Sequence, residues 1–304
     1  MTWQFTLTGL FLGLIVGLTG VGGGSLMTPI LIILFGFKPT TAVGTDLFHG
    51  AIFKSFGAVR HRRLGTVHAH LAFWLFLGSG PLALAGVVVS YVLRNQISNA
   101  ETILSYAIGV ALIGGGAGFL AKSFVKRGVQ PSAAPFIMSR RDKLIAFSTG
   151  AVFGFIVGLT SVGSGTYFGL MMVLVYPLAM PRIVGTDIFH AAALLWVAGA
   201  GHLIIGDVDL HATAWLLLGS VPGILISSRW TLKVPDLTIR AGLGGILIIS
   251  GIKLLNTPGG NWILGGGLGL LFVVLTIYTV SVMRSQQPRT APEQPRTTPE
   301  RPLR

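Results

Sequence analysis

The chain has no cysteine, which excludes disulfides and thiolate metal sites and leaves the redox compartment unmarked. Acids are scarce too: nine Asp and Glu stand against 22 Lys and Arg in 304 residues. Charged residues make up only 10% of the chain, where soluble domains carry roughly 25%. So little charge cannot cover a water-facing surface. Catalytic motifs are also missing. There is no paired-histidine metalloprotease motif, no phosphate loop ending in Gly-Lys-Ser/Thr, and no nucleophile–base pair in a known local context. Gly22-Gly23-Gly24 is not a dinucleotide fingerprint, because no βαβ context surrounds it. An enzyme is not expected, and no cofactor is implied. Met1 and Thr2 run straight into apolar sequence without a basic leader, so a cleaved signal peptide is not expected.

What fills the space is apolar. Hydrophobic residues reach 52%, and the mean hydropathy is +0.76. Runs long enough to cross a bilayer recur along the chain, which reads as an all-α polytopic membrane protein with the lipid bilayer as its first partner. The net charge of +13 lies in short loops and the tail, where membrane topology accounts for it. No nucleic-acid partner is expected.

The chain is written twice. Gly17-Leu18-Thr19-Gly20-Val21-Gly22-Gly23-Gly24-Ser25 returns as Gly158-Leu159-Thr160-Ser161-Val162-Gly163-Ser164-Gly165-Thr166, 141 residues on. At the same offset Val43-Gly44-Thr45-Asp46 returns as Val184-Gly185-Thr186-Asp187, His49 as His190, His61 as His202, His70 as His211 and Trp74 as Trp215. Duplicated apolar units are a mark of transporters. Residues 1–121 read as a first transmembrane repeat, 122–143 as a basic linker, and 144–255 as a second repeat. An extra C-terminal span at 256–283 and a disordered Pro- and Arg-rich tail at 284–304 complete the chain.

Each glycine-rich stretch divides an apolar segment into pieces (3–18 and 25–37, then 144–159 and 166–179). Every piece is shorter than the roughly 20 residues of a full span. Each pair is expected to form a broken, re-entrant hairpin, followed by about three spans. Gly78-Ser79-Gly80-Pro81 predicts a kink or break in the span at 67–93. Gly114 and Gly118 offer a small-xxx-small face. The basic clusters at 60–63, 122–143 and from 284 onward should be cytoplasmic, whereas the counterpart of Arg60–Arg63 carries Asp207 and Asp209. Equivalent loops of opposite charge character imply inverted repeats.

Broken backbone inside a bilayer persists only where it lines a cavity or is buried in protein. The half-helices starting near Ser25 and Thr166 would aim their positive ends at the bilayer centre, making an anion site of backbone from Gly22, Gly23, Gly24, Ser25, Gly163, Ser164, Gly165 and Thr166. The competing reading is that these glycines serve packing alone. Asp46 and Asp187 lie within spans at equivalent positions, where they can cap N–H groups or act in function. His49 and His190 follow three residues after each Asp, on nearly the same helix face, and can carry a proton or donate to an anion. Two His and two Asp could suit zinc, but their spacing matches no ligand pattern, so no metal is expected. Lys54 is the one Lys or Arg well inside a predicted helix; it can neutralise Asp46, bind an anion, or snorkel toward Arg60. Ser79 and Ser220 could donate hydroxyls to an oxyanion. His61, His202, His70 and His211 read as ordinary interfacial histidines.

These segments resemble the TauE/SafE family of sulfite exporter-like permeases. The resemblance rests on Gly17–Gly24 followed by a short helix with Pro29, on Ala42-Val43-Gly44-Thr45-Asp46, and on His61…Gly65-Thr66-Val67. Ile183-Val184-Gly185-Thr186-Asp187 and Gly199–His202 look like the matching segments of the second copy. Many members carry Ser where Asp46 stands; this chain resembles the branch with Gly-Thr-Asp and a downstream Lys, here Lys54. The resemblance implies transport of small sulfur-containing anions. The expectation is therefore a secondary transporter of sulfite or an organosulfonate in a bacterial inner membrane. The two turns, with Thr45, Thr186 and Lys54, would bind the anion. Asp46, Asp187, His49 and His190 would line or gate the site and carry any coupling proton, and one inverted half would rock against the other. A passive anion channel, or a carrier of another small anion, is the alternative.

Overall fold

A computed structural model describes residues 2–19, 24–124, 136–227, 236–255 and 264–270. Its helices are α1 (Thr2–Thr19), α2 (Gly24–Ile33), α3 (Pro39–Arg63), α4 (Ala69–Gln96), α5 (Ala100–Phe124), α6 (Arg140–Thr160), α7 (Tyr167–Val175), α8 (Met180–Ile204), α9 (Leu210–Ser227) and α10 (Asp236–Leu254). Residues 264–270 are also helical, and no strand occurs among the described residues. α4, α6, α8 and residues 100–121 of α5 are long and apolar enough to cross a membrane. The protein is thus an all-helical, polytopic membrane protein. The expected tail at 284–304 and Gly20–Gly23 of the first turn lie outside the described residues.

Local chemistry sets the boundaries, and it does so twice. Pro39 occupies the first turn of α3 and Pro181 that of α8, where a missing N–H costs nothing. Both helices stop at a glycine in the left-handed region, Gly65 (φ 66°) and Gly206 (φ 80°), again 141 residues apart. The N-caps of α4 and α9 match as well. His68 Nδ1 accepts from Leu71 N at 3.1 Å, and Asp209 Oδ1 accepts from Ala212 N at 2.9 Å. In α7 only nine residues are helical, about 14 Å at 1.5 Å per residue, so this helix cannot span alone.

Two boundaries differ from expectation. α6 starts at Arg140 rather than 144, because Ser139 and Asp142 form a capping box that draws the polar end of the linker into the helix. At 21 residues it is long enough to span, so within this second pair only α7 is a half-helix by length. α4 runs unbroken through Gly78–Pro81. Proline in a membrane helix is tolerated where packed neighbours support the freed backbone, and here α6 lies directly against that stretch.

Backbone-on-backbone contact organises the bundle. On α6, Gly150, Gly154 and Gly158 lie against the backbone of Leu75, Ser79 and Ala83 of α4, so the two helices run parallel. Gly9 and Gly13 of α1 lie in the same way against Leu216 and Ser220 of α9. Small residues at every fourth position permit such close approach. The expected face at Gly114 and Gly118 instead receives side chains of α7, Tyr167 and Leu170. α3 and α8 run antiparallel, with Gly50 facing Leu195 and Gly57 facing Ile188. α5 and α10 are also antiparallel, joined at Gly109–Gly251 and Gly116–Gly244. Because α3 corresponds to α8 and α5 to α10, equivalent helices oppose one another. That is the relation inverted repeats require.

These directions sort the charges by face. The end of α3 and the starts of α4, α6 and α8 share one side, which gathers Arg60, Arg62, Arg63, Arg140, Arg141, Lys143 and Arg182 with Asp142. The other side holds Lys38, Arg94 and Lys253 with Glu101, Asp207 and Asp209.

A side chain at Gly154 would press into the Ser79 backbone. Gly154→Val should therefore lower stability by about 1–3 kcal/mol, the usual cost of overpacking. Gly266, with open space around it, should accept Ala within about 0.5 kcal/mol. Thermal unfolding of the detergent-solubilised protein checks both; equal melting points for the two variants would refute the close-packed interface.

Candidate functional site

Midway along α3 and α8 the two repeats meet in a buried polar cluster. Asp46, His49 and Lys54 come from α3, Asp187 and His190 from α8, and each is at most 5% exposed. Such groups are costly inside a membrane protein and need partners. Most of those partners come from the other repeat.

Asp46 Oδ2 accepts from Thr28 Oγ1 of α2 at 2.6 Å and from Ser161 Oγ of the α6–α7 turn at 2.8 Å. Lys54 Nζ donates to Ser164 Oγ of the same turn at 2.8 Å, and the charges of Asp187 and Asp46 both act on it. His49 Nε2 shares a hydrogen bond with Ser220 Oγ of α9 at 2.9 Å, and His190 Nε2 one with Ser79 Oγ of α4 at 2.8 Å. These last two are the same contact made twice, once in each direction between repeats. Ser79 and Ser220 are thus histidine partners, where the sequence suggested direct oxyanion donors.

The α6–α7 turn is built to lie against this cluster. Ser161 sits in the left-handed region (φ 61°), and Gly163 (φ 128°) and Gly165 (φ 97°) take positive angles that a side chain would resist. The N–H groups of Ser161, Val162, Thr166 and Tyr167 are used within the turn, on Val157 O, Thr160 Oγ1 and Gly163 O. At the start of α2 and α7, Ser25 Oγ and Thr166 Oγ1 are buried without a hydrogen-bond partner, as is His190 Nδ1. Ser25 and Thr166 are equivalent positions of the duplication. Gly24 opens α2, while Gly22 and Gly23 lie outside the described residues.

Thr45 and Thr186 have a different setting. Thr45 Oγ1 accepts from Asp209 N at 3.0 Å, and Thr186 Oγ1 accepts from His68 N at 2.9 Å. Each hydroxyl holds the loop before α9 or α4, and the neighbouring Gly44 and Gly185 admit the loop carbonyls of Asp207 and Thr66. His202 also departs from expectation: it is fully buried, not interfacial. Its Nε2 donates to Gly158 O at 3.0 Å, and its Nδ1 lies 3.6 Å from Asp207 Oδ2. Arg94 closes this group by pairing with Asp207 and donating to Ile205 O at 3.2 Å. Sequence reasoning missed the group because Arg94 and Asp207 are 113 residues apart. His61 bonds Thr66 Oγ1 at 2.9 Å, and His70 and His211 are exposed in the first turns of α4 and α9. Among the described residues no three His, Asp or Glu side chains are placed to share a metal ion.

A cavity of about 10 Å³ touches Asp46, His49, Lys54, Phe53, Met27 and Ser220. That is room for about one water molecule. Among the described residues the cluster is closed.

Comparison with known proteins finds relatives named as membrane transporters. A family model described as "Sulfite exporter TauE/SafE" matches residues 5–254. The chain is similar to the probable membrane transporter protein YjnA of Bacillus subtilis, 37% identical over 255 residues, covering 84% of this chain and all of that protein. It is also similar to YdhB of the same organism (24% identical, 80% and 96% covered) and to MJ0441 of Methanocaldococcus jannaschii (26% identical, 82% and 93% covered), both likewise named probable membrane transporter proteins. No solved structure matches the chain.

Removing a hydroxyl that serves a buried carboxylate costs about 1–3 kcal/mol. Thr28→Val and Ser161→Ala should each destabilise the protein by that amount. In an Asp46→Asn background the losses should shrink, because the acceptor is no longer a carboxylate. Unfolding midpoints of the single and double variants give the coupling, expected at about 0.5–3 kcal/mol; strict additivity would show that the hydroxyls do not serve Asp46.

Proposed function

We propose that this chain, which belongs to the sulfite exporter TauE/SafE family, is a secondary transporter that carries a small sulfur-containing anion, sulfite or an organosulfonate, across the cytoplasmic (inner) membrane of a bacterium. One observation carries the reading: a buried cluster midway along α3 and α8, built jointly by residues of both repeats around one lysine. Inverted-repeat carriers place their sites at such an interface, with the ends of broken helices aimed at the substrate. A cavity of about 10 Å³ also suits a carrier caught closed better than an open channel.

The parts divide as follows. Lys54 supplies the charge that attracts the anion, and Ser25, Ser164, Thr166 and the N–H groups of Gly163–Gly165 supply neutral donors. Asp46, Asp187, His49 and His190 surround them and carry the coupling proton. Thr45 and Thr186, already engaged with the loops, position α3 and α8 and do not touch the anion. Motion follows the packing. The glycine contacts join α1 to α9 and α4 to α6, so each of these pairs moves as a body containing helices of both repeats. The rocking is of these mixed pairs about α3 and α8, rather than of one sequence half against the other. The face bearing Arg60–Arg63 and Arg140 is cytoplasmic, as the positive-inside rule requires, and the basic tail lies on the same side.

Uptake of labelled sulfite into proteoliposomes, with and without an imposed pH gradient, tests this. Saturable flux that follows the gradient is expected, and Asp46→Asn should reduce it at least tenfold in protein that still inserts and elutes as a single species. Flux without saturation would support the channel, and no flux above empty liposomes for sulfite or any sulfonate would refute the transport reading. A reporter fused after residue 304 should read cytoplasmic; an external signal would overturn the orientation.

A further inference from the structure

The charges around Lys54 are unequal in number, and the inequality bears on what the site can hold. Lys54 is the one Lys or Arg among the described buried residues. Its ammonium donates to Ser164 in the α6–α7 turn and lies within electrostatic reach of Asp46 and His49 on its own helix and of Asp187 and His190 on α8. Beyond the histidines stand only hydroxyls, Ser220 on α9 and Ser79 on α4. With both carboxylates ionised and both histidines neutral, the cluster carries one formal negative charge. The duplication does not supply a second cation, because the counterpart of Lys54 is Leu195, itself buried.

In that charge state an entering anion adds to an excess that is already negative. Uncompensated charge in a closed, low-dielectric site is strongly unfavourable. A single proton cancels the charge of a monoanion; a dianion would need two. The Lys54–Ser164 contact and the single-water cavity also show what must yield. An oxyanion does not fit in about 10 Å³, so the turn has to withdraw from α3 and exchange its bond to Lys54 for one to the substrate.

Building on the transport reading above, we propose that the site accepts monoanionic oxyanions, hydrogensulfite or a sulfonate, each bound at Lys54 together with one proton, and that it refuses dianions. Lys54 is then a specificity-determining residue: it attracts the anion, and as the sole cation it makes the proton obligatory. Ser164, whose counterpart is Gly23, holds Lys54 in the empty state.

The test uses the full-length protein in proteoliposomes with labelled isethionate, a sulfonate that stays monoanionic across the working pH range, and a pH-indicator dye to count protons. Expected are saturable uptake, one proton entering per isethionate, and no competition from a tenfold excess of sulfate. Sulfite flux should follow the hydrogensulfite share as pH rises. Lys54→Gln should raise the half-saturating concentration at least tenfold, and Lys54→Arg should recover most of it. If Lys54 merely neutralised the carboxylates, the double variant Asp46→Asn/Lys54→Gln would show the same half-saturating concentration for its residual uptake as Asp46→Asn alone; the proposal requires at least a tenfold rise. An unchanged half-saturating concentration, uptake without protons, or equal competition by sulfate would each overturn the proposal while leaving a transporter in place. Should neither isethionate nor sulfite show saturable flux, the transport reading falls and this inference with it. Where Lys54→Gln does not insert, the proton count and the sulfate competition on the unaltered protein decide the matter.

Discussion

An ammonium group inside a membrane protein has to meet counter-charge where water is absent, and the rest of this structure follows from how Lys54 does so. Asp46 lies two turns back on the same helix, about 12 Å along the axis. Asp187 arrives from the other repeat, because α8 runs antiparallel to α3 and Gly57 of one faces Ile188 of the other. Neither carboxylate can be left bare in turn. Thr28 and Ser161 serve Asp46, and Ser161 can do so only because the chain breaks after α6 and turns sharply beside α3. The broken helix thus sets hydroxyls and backbone donors where an unbroken span would present only its side.

The cluster also depends on contacts that contain no polar side chain. Ser79 and Ser220 reach His190 and His49 because α4 and α9 stand close to the core, and each is held there by glycines of the partner repeat. Gly154 lies on the backbone of Ser79 itself, and Gly13 on that of Ser220. The residues that bond the histidines are therefore the residues around which the helices close-pack. Any tilt of α1 with α9, or of α4 with α6, carries a serine toward or away from a histidine. Helix position and the histidine hydrogen bonds are thus linked through the packing.

Much of this was legible in the sequence. The 141-residue offset implied matching elements, and the structure repeats matching starts, stops and caps: Pro39 with Pro181, Gly65 with Gly206, His68 with Asp209. The burial of Asp46, Asp187, His49, His190 and Lys54 was legible too, since charge is rare enough here to stand out. What could not be read was pairing across the repeats. Periodicity places His49 on a face but does not say that Ser220, 171 residues away, meets it. The settings of Thr45 and Thr186 could not be read for a related reason: the loops whose N–H groups donate to their hydroxyls belong to the other unit. The glycine row at 150, 154 and 158 was visible as an every-fourth-residue pattern, echoed at 9, 13 and 17; the weaker Gly114 and Gly118 pair drew attention instead. Pro81 suggested a break by the rule for soluble helices, which packing inside a membrane protein relaxes.

Duplication doubled the frame but not the chemistry. Opposite Lys54 stands Leu195, opposite Thr28 stands Gly169, and opposite Ser161 stands Gly20. Farther out, Arg94 and Asp207 form an ion pair on the face that carries the acidic loop, while their counterparts are Pro235 and Thr66, which cannot. Two identical halves would give open states of equal energy toward the two sides of the membrane, each the mirror of the other. One-sided substitutions remove that equality: the central cation and the Arg94–Asp207 pair each occur on one side of the pseudo-symmetry alone. A ligand can shift such an equilibrium only by its differential affinity for the two states. Any resting bias between two such states is therefore set by the protein, and the Lys54–Ser164 contact between the repeats, whose counterpart would be Leu195 with Gly23, is one place where the two directions differ.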